Sequence, residues 1–129
     1  MNKNIVEIEV GDKKIGFKFC FASYSIFCDM HDVDLKELIS YLKNLDLNKI
    51  RDLLYSGHVA YCKSKGIECE ATPESVEDWI DEIGLLSDSY KSIMDAWNHA
   101  FTSLFFGSNT VTVSEEGSKK KRVKKKDTQ

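Results

Sequence analysis

Up to Phe19 the apolar residues of this chain recur at every second position, and from Ala22 to about residue 106 they recur at every third or fourth. A single switch of that kind specifies a short sheet followed by helices, an α+β arrangement. The runs Ile5-Val6-Glu7-Ile8-Glu9-Val10 and Ile15-Gly16-Phe17-Lys18-Phe19 read as antiparallel strands joined at Gly11-Asp12-Lys13-Lys14. Val6, Ile8, Val10, Ile15, Phe17 and Phe19 then share one face, and Glu7 and Glu9 can pair with Lys14 and Lys18 on the other. A lone hairpin is marginal in water, so this apolar face must pack on the helices.

The helical part carries its own start and stop signals. A first helix runs from Ala22 to His31, with Ser23 as its cap and Tyr24, Phe27 and Cys28 on one face. Asp34, with Glu37 three positions on, predicts a capping box opening a second helix that ends near Asn44, with Leu35, Leu38, Ile39 and Leu42 inward. Asp46 caps a third, in which Leu47, Ile50, Leu53, Leu54, Gly57, His58 and Tyr61 recur at helical spacing and Gly66 terminates. Gly57 inside this helix costs about 1 kcal/mol relative to alanine, which predicts close approach by a neighbouring element.

The fourth helix is the best marked. Thr72 is a favourable N-cap, Pro73 falls where the first helical residue has no N–H partner to lose, and Glu74, Glu77 and Asp78 lie toward the positive end of the helix dipole. Val76, Trp79, Ile80 and Ile83 share a face, the acidic residues point mostly away, and Gly84 is expected to close the helix in a left-handed conformation. Ser87 or Asp88 starts a fifth helix with Tyr90, Ile93, Met94, Trp97, Phe101, Leu104 and Phe105 on one side, ended by Gly107. The expected architecture is therefore an N-terminal β-hairpin packed on a bundle of about five helices over residues 1–106.

Charge divides the chain at the same place. Residues 1–106 hold 11 basic and 18 acidic side chains, net −7, and residues 107–129 hold 7 and 3, net +4. The terminal stretch, rich in Ser, Thr, Gly and Lys, has too few apolar residues to build a core and is expected to be a flexible, disordered tail. Its lysines could neutralise phosphates, but it has no aromatic for base stacking and the acidic body repels a polyanion, which argues against a nucleic-acid role. No apolar run approaches the roughly 20 residues that cross a bilayer, and no signal-peptide pattern precedes the first strand, so a soluble cytoplasmic protein without membrane contact is expected.

Residues with catalytic potential do not assemble into a motif. The sequence has no Gly-rich phosphate loop, GxSxG, HExxH or EF-hand pattern. Cys20, Cys28, Cys62 and Cys69 are separated by 7, 33 and 6 residues, unlike CxxC pairs or the usual zinc spacings, and are expected to be reduced thiols, with no metal or cofactor bound. His31, His58 and His99 each fall within or at the end of a helix without a partner in a recognised ligand motif, which favours structural or exposed histidines. Cys28, near Asp29 and His31, suits buried packing better than reactivity. The expectation is a protein that is not an enzyme.

The order of these elements carries a resemblance. The segments Phe21-Ala22-Ser23-Tyr24, Asp32-Val33-Asp34-Leu35-Lys36-Glu37-Leu38, Ile50-Arg51-Asp52-Leu53-Leu54-Tyr55-Ser56-Gly57 and 72–82 follow one another much as in the tail assembly chaperones of long-tailed bacteriophages and prophages, which residues 5–106 resemble. The resemblance implies a non-catalytic protein of the bacterial cytoplasm that coats the tape measure protein, helps recruit tail tube subunits and self-associates. The lysine-rich terminus departs from that pattern.

A client helix needs an apolar groove with a polar rim. The expected groove is rimmed by the acidic fourth helix and floored by Trp79, Ile83, Leu85 and Leu86. Phe105 and Phe106, adjacent on a helix, point in different directions, and one of them is expected to be exposed. The competing readings are a small cytoplasmic adaptor or regulatory module whose basic tail contacts nucleic acid or an acidic partner, and an enzyme without a motif.

Overall fold

The computed structural model describes residues 4–107; the tail expected over 108–129 lies outside the described residues. Strands β1 (Ile5–Val10) and β2 (Lys13–Lys18) pair antiparallel with Val6 opposite Phe17 and Ile8 opposite Ile15. Lys13 and Lys14 belong to β2, so the turn shortens to Gly11 and Asp12, with Gly11 at φ 64° supplying the positive φ that a two-residue hairpin turn demands. Ile8, Ile15, Phe17 and Phe19 are buried as the alternation predicts.

Helix α1 (Phe21–His31) is entered through its N-cap residue Cys20, two residues after β2 ends. Ser23 does not occupy the N-cap position; it lies three residues inside the helix, where its hydroxyl accepts from the Cys20 N–H at 2.9 Å. The expected continuous helix after Asp34 is instead a 3₁₀ turn (Leu35–Glu37) followed by one α turn, α2 (Leu38–Tyr41). Lys49 Nζ donates to the Tyr41 carbonyl at 3.0 Å and the Asn44 carbonyl at 2.8 Å, satisfying acceptors at the end of this short segment. Leu38 and Leu42 are buried there, whereas Ile39, expected inward, is exposed, because no element among the described residues covers the outer side of so short a helix.

Helix α3 (Leu47–Lys65) is the central element, in contact with α1, β2 and α4 (Pro73–Ile83). Asp46 accepts from the Lys49 N–H at its start, and Gly66, at φ 70°, closes it. Gly57 faces Phe19 so closely that a Cβ there would lie 2.6 Å from the ring. The predicted close approach is therefore real, and the intruding element is the end of the hairpin. Helix α4 is capped by Thr72, which accepts from the Ser75 N–H at 3.2 Å. Gly84 ends it at φ 82° and ψ 131°, so the residue leaves in an extended direction and not in the left-handed helical conformation expected of it.

Helix α5 (Asp88–Phe106), capped by Ser87, packs on β1 and meets α1 through Tyr24, whose ring lies edge-on to Trp97 and Phe101. The Tyr24 hydroxyl donates to the Trp97 carbonyl at 3.0 Å, and burial pushes its pKa upward, so it remains a donor at neutral pH. Hairpin and helices contribute to one core, in which Phe17, Phe27, Leu38, Val76 and Ile93 are fully buried. Burial of each larger side chain contributes roughly 1.5–3 kcal/mol. Among the described residues no helix is long and apolar enough to cross a membrane.

Candidate functional site

The six residues expected to meet a partner do not form one surface. Trp79 turns toward β2 and α3, its ring edge-on to Phe17 at 6.0 Å and to His58 at 4.9 Å. Ile83 is half-buried against the core, and Leu85 is half-buried beyond Gly84. Leu86 is fully exposed, so it has no walls around it and cannot floor a groove with Trp79. Phe105 packs on Phe101, with ring centroids 4.9 Å apart, whereas Phe106 is 77% exposed, so it is Phe106 that points outward. Leu85 and Leu86 precede α5 and the two phenylalanines end it, which separates them by its 19-residue length, about 28 Å.

A separate groove lies between α3 and α4, with two apolar residues among polar and charged ones. It encloses about 360 Å³ and is lined by Leu47, Asn48, Arg51, Glu77, Ile80 and Asp81. Leu47, the first residue of α3, is 67% exposed among the described residues. Arg51 spans the groove: its guanidinium donates to the Glu77 carboxylate on α4 at 2.9 Å and to its neighbour Asp52 at 2.9 Å. The bonds to Asp52 and then Glu77 raise the Arg51 pKa, so the guanidinium stays charged. Leu47 and Ile80 were legible in the sequence only as members of two separate apolar faces; their juxtaposition arises from the packing of α3 on α4.

A second cleft, of about 250 Å³, lies where α1 begins against the end of α5, lined by Asn4, Phe19, Cys20, Phe21, His99 and Leu104 among others. Phe21 is 62% exposed at its mouth. It follows Phe19 by two positions, and the onset of helix at Phe21 breaks the strand alternation that would have turned it inward.

The two histidines nearest α3 occupy different polar settings. His31 Nε2 lies 2.7 Å from the buried Asp52 carboxylate and Nδ1 lies 2.6 Å from the Tyr41 hydroxyl. With a carboxylate as acceptor, Nε2 carries the proton in the neutral ring and Nδ1 accepts from Tyr41. Both nitrogens are committed, which leaves Cys28 without His31 as a base, and burial pushes the Cys28 thiol up.

His58 Nδ1 lies 2.9 Å from the Gly16 carbonyl, and Nε2 lies 3.5 Å from Cys62 Sγ. Burial, with Cys69 adding to it, raises the Cys62 pKa, so this thiol is protonated at neutral pH. Nearby, the Tyr61 hydroxyl donates to Glu7, which holds that carboxyl below its usual range and pushes Tyr61 up to about 12.

His58, Cys62 and Cys69 come together with their ligand atoms within 4.8 Å of one another. The spacing of the cysteines taken alone did not show this trio. The pattern that would have found it is His58, four residues before Cys62 on one helix face, followed by the Gly66 reversal that returns Cys69. Comparison of the chain with protein-family models, curated proteins and solved structures gives no match, so any functional reading rests on these side chains and on the order of the sequence landmarks.

Proposed function

We propose that this protein is a non-catalytic tail assembly chaperone that receives an apolar, basic-flanked helix of a phage tape measure protein in the α3–α4 groove. The carrying observation is that groove: an apolar floor of Leu47 and Ile80 under the acidic residues Glu77 and Asp81, on a wall braced by Arg51. A client helix would lay an apolar stripe on the floor and place lysines or arginines against the rim, so that charge sets orientation and apolar burial supplies affinity. The exposed Phe21 and Phe106 provide separate apolar surface for a tail tube subunit or for self-association.

The test is co-purification and calorimetric titration with a tape measure protein of a long-tailed phage. Leu47→Asp combined with Asp81→Lys is expected to weaken binding at least about 100-fold, a loss typical of an anchor truncation combined with charge reversal, while circular dichroism stays unchanged because both residues are exposed. Unchanged affinity in that double variant overturns the groove assignment, and absence of any binding by the unaltered chain overturns the function. The alternative of a basic tail acting on nucleic acid predicts a mobility shift at physiological salt that disappears when residues 118–129 are removed.

A further inference from the structure

We propose that His58, Cys62 and Cys69 form a zinc site of two thiolates and one imidazole, with the fourth position opening into the cavity beside Trp79. Softness of the ligands selects the metal: two sulfurs and a nitrogen suit Zn²⁺ over the oxygen-seeking Mg²⁺ and Ca²⁺. The existing geometry is close to what zinc requires. Zn–N of about 2.0 Å and Zn–S of about 2.3 Å give a tetrahedral N···S edge of about 3.5 Å, and His58 Nε2 lies 3.5 Å from Cys62 Sγ. All three ligand atoms fall within 4.8 Å of one another, so the distances to Cys69 Sγ have to shorten by no more than about 1.3 Å to complete the face. It sits after Gly66 in a stretch without helix or strand, where such a movement breaks no ladder.

The orientation of His58 is the second observation. The Gly16 carbonyl only accepts, so the neutral ring carries its proton on Nδ1 and directs the Nε2 lone pair toward the sulfur. A backbone carbonyl on the far nitrogen is the outer-shell arrangement that aligns metal-bound histidines. Trp79, edge-on at 4.9 Å, further restricts the ring. The adjoining cavity, about 340 Å³, has room for a water or a partner's side chain as fourth ligand. Lys13 and Lys14 on its wall are balanced by Glu68 and Glu70, so the charged lining does not exclude a cation. On binding, each cysteine thiol gives up its proton to solvent and the two thiolates neutralise the ion's two charges.

The test uses tag-free, full-length, reduced protein titrated with Co²⁺ in the absence of oxygen. The expected result is the visible absorption of tetrahedral Co²⁺ with a thiolate charge-transfer band, saturating at one ion per chain and abolished by added Zn²⁺. His58→Ala and Cys69→Ser are each expected to weaken Zn²⁺ binding, measured by chelator competition, more than about ten-fold. Cys20→Ser, outside the cluster, is expected to leave it unchanged. Circular dichroism of Cys69→Ser, whose side chain is only half-buried, separates loss of a ligand from loss of fold. No tetrahedral band in the reduced protein overturns the site, as do bands of undiminished strength in Cys69→Ser.

Discussion

His31 and His58 both bridge elements around α3, yet their surroundings lead to opposite roles. His31 is closed: a carboxylate fills one nitrogen, a phenol fills the other, and Phe27 stacks on the ring at 4.3 Å. His58 has one firm partner, the Gly16 carbonyl, and one weak one, a thiol. A ring with both nitrogens strongly committed is a brace. A ring with one nitrogen aligned by the backbone and the other facing sulfur beside a cavity remains available to a ligand. Burial alone would not separate the two, because both are partly buried; the chemistry of the partners does.

Two substitutions break or sharpen that contrast. Asp52→Ala removes the buried carboxylate that serves both His31 and Arg51, leaving His31 Nε2 and Arg51 Nε without their acceptor, and is expected to destabilise the fold by about 3 kcal/mol. Urea denaturation measures this, and His58→Ala in metal-free protein should cost only about 1 kcal/mol, the net worth of its bond to Gly16. Equal losses in the two variants would erase the distinction.

Glycine substitutions probe the packing of α3 on the hairpin, the side on which His58 sits. In Gly57→Ala the new methyl meets the buried Phe19 ring, which cannot retreat, and a loss of about 2 kcal/mol is expected. Gly16→Ala clashes with the end of the half-exposed Tyr61, which can swing outward, so the same denaturation series should show about half that loss. The smallest effect belongs to Tyr41→Phe, which removes the donor to His31 Nδ1 and is expected to cost about 0.5 kcal/mol without altering Co²⁺ or Zn²⁺ binding.

Features set by neighbouring residues were the legible ones. Asp46, Thr72 and Ser87 cap the helices that their spacing predicts, and Gly66 closes α3 because the chain requirement there is local. Gly57 was legible in a weaker sense: its cost inside a helix announces a close neighbour but not that the neighbour is Phe19. The segment after Asp34 was misread because Lys49, from another element, supplies the donors that satisfy its end. The groove floor and the His58 cluster were hidden for the same reason. Leu47 meets Ile80, and His58 meets Cys69, only through the packing and chain reversal around α3.

The notch at Gly57 has a further consequence for how the chain holds together. A two-stranded hairpin is marginal alone, and α3 is weakened at its midpoint by the residue that admits Phe19. Neither piece is stable until the other is in place. Their stabilities are therefore one quantity, and the protein should open in a single cooperative step, without a surviving hairpin or a surviving central helix.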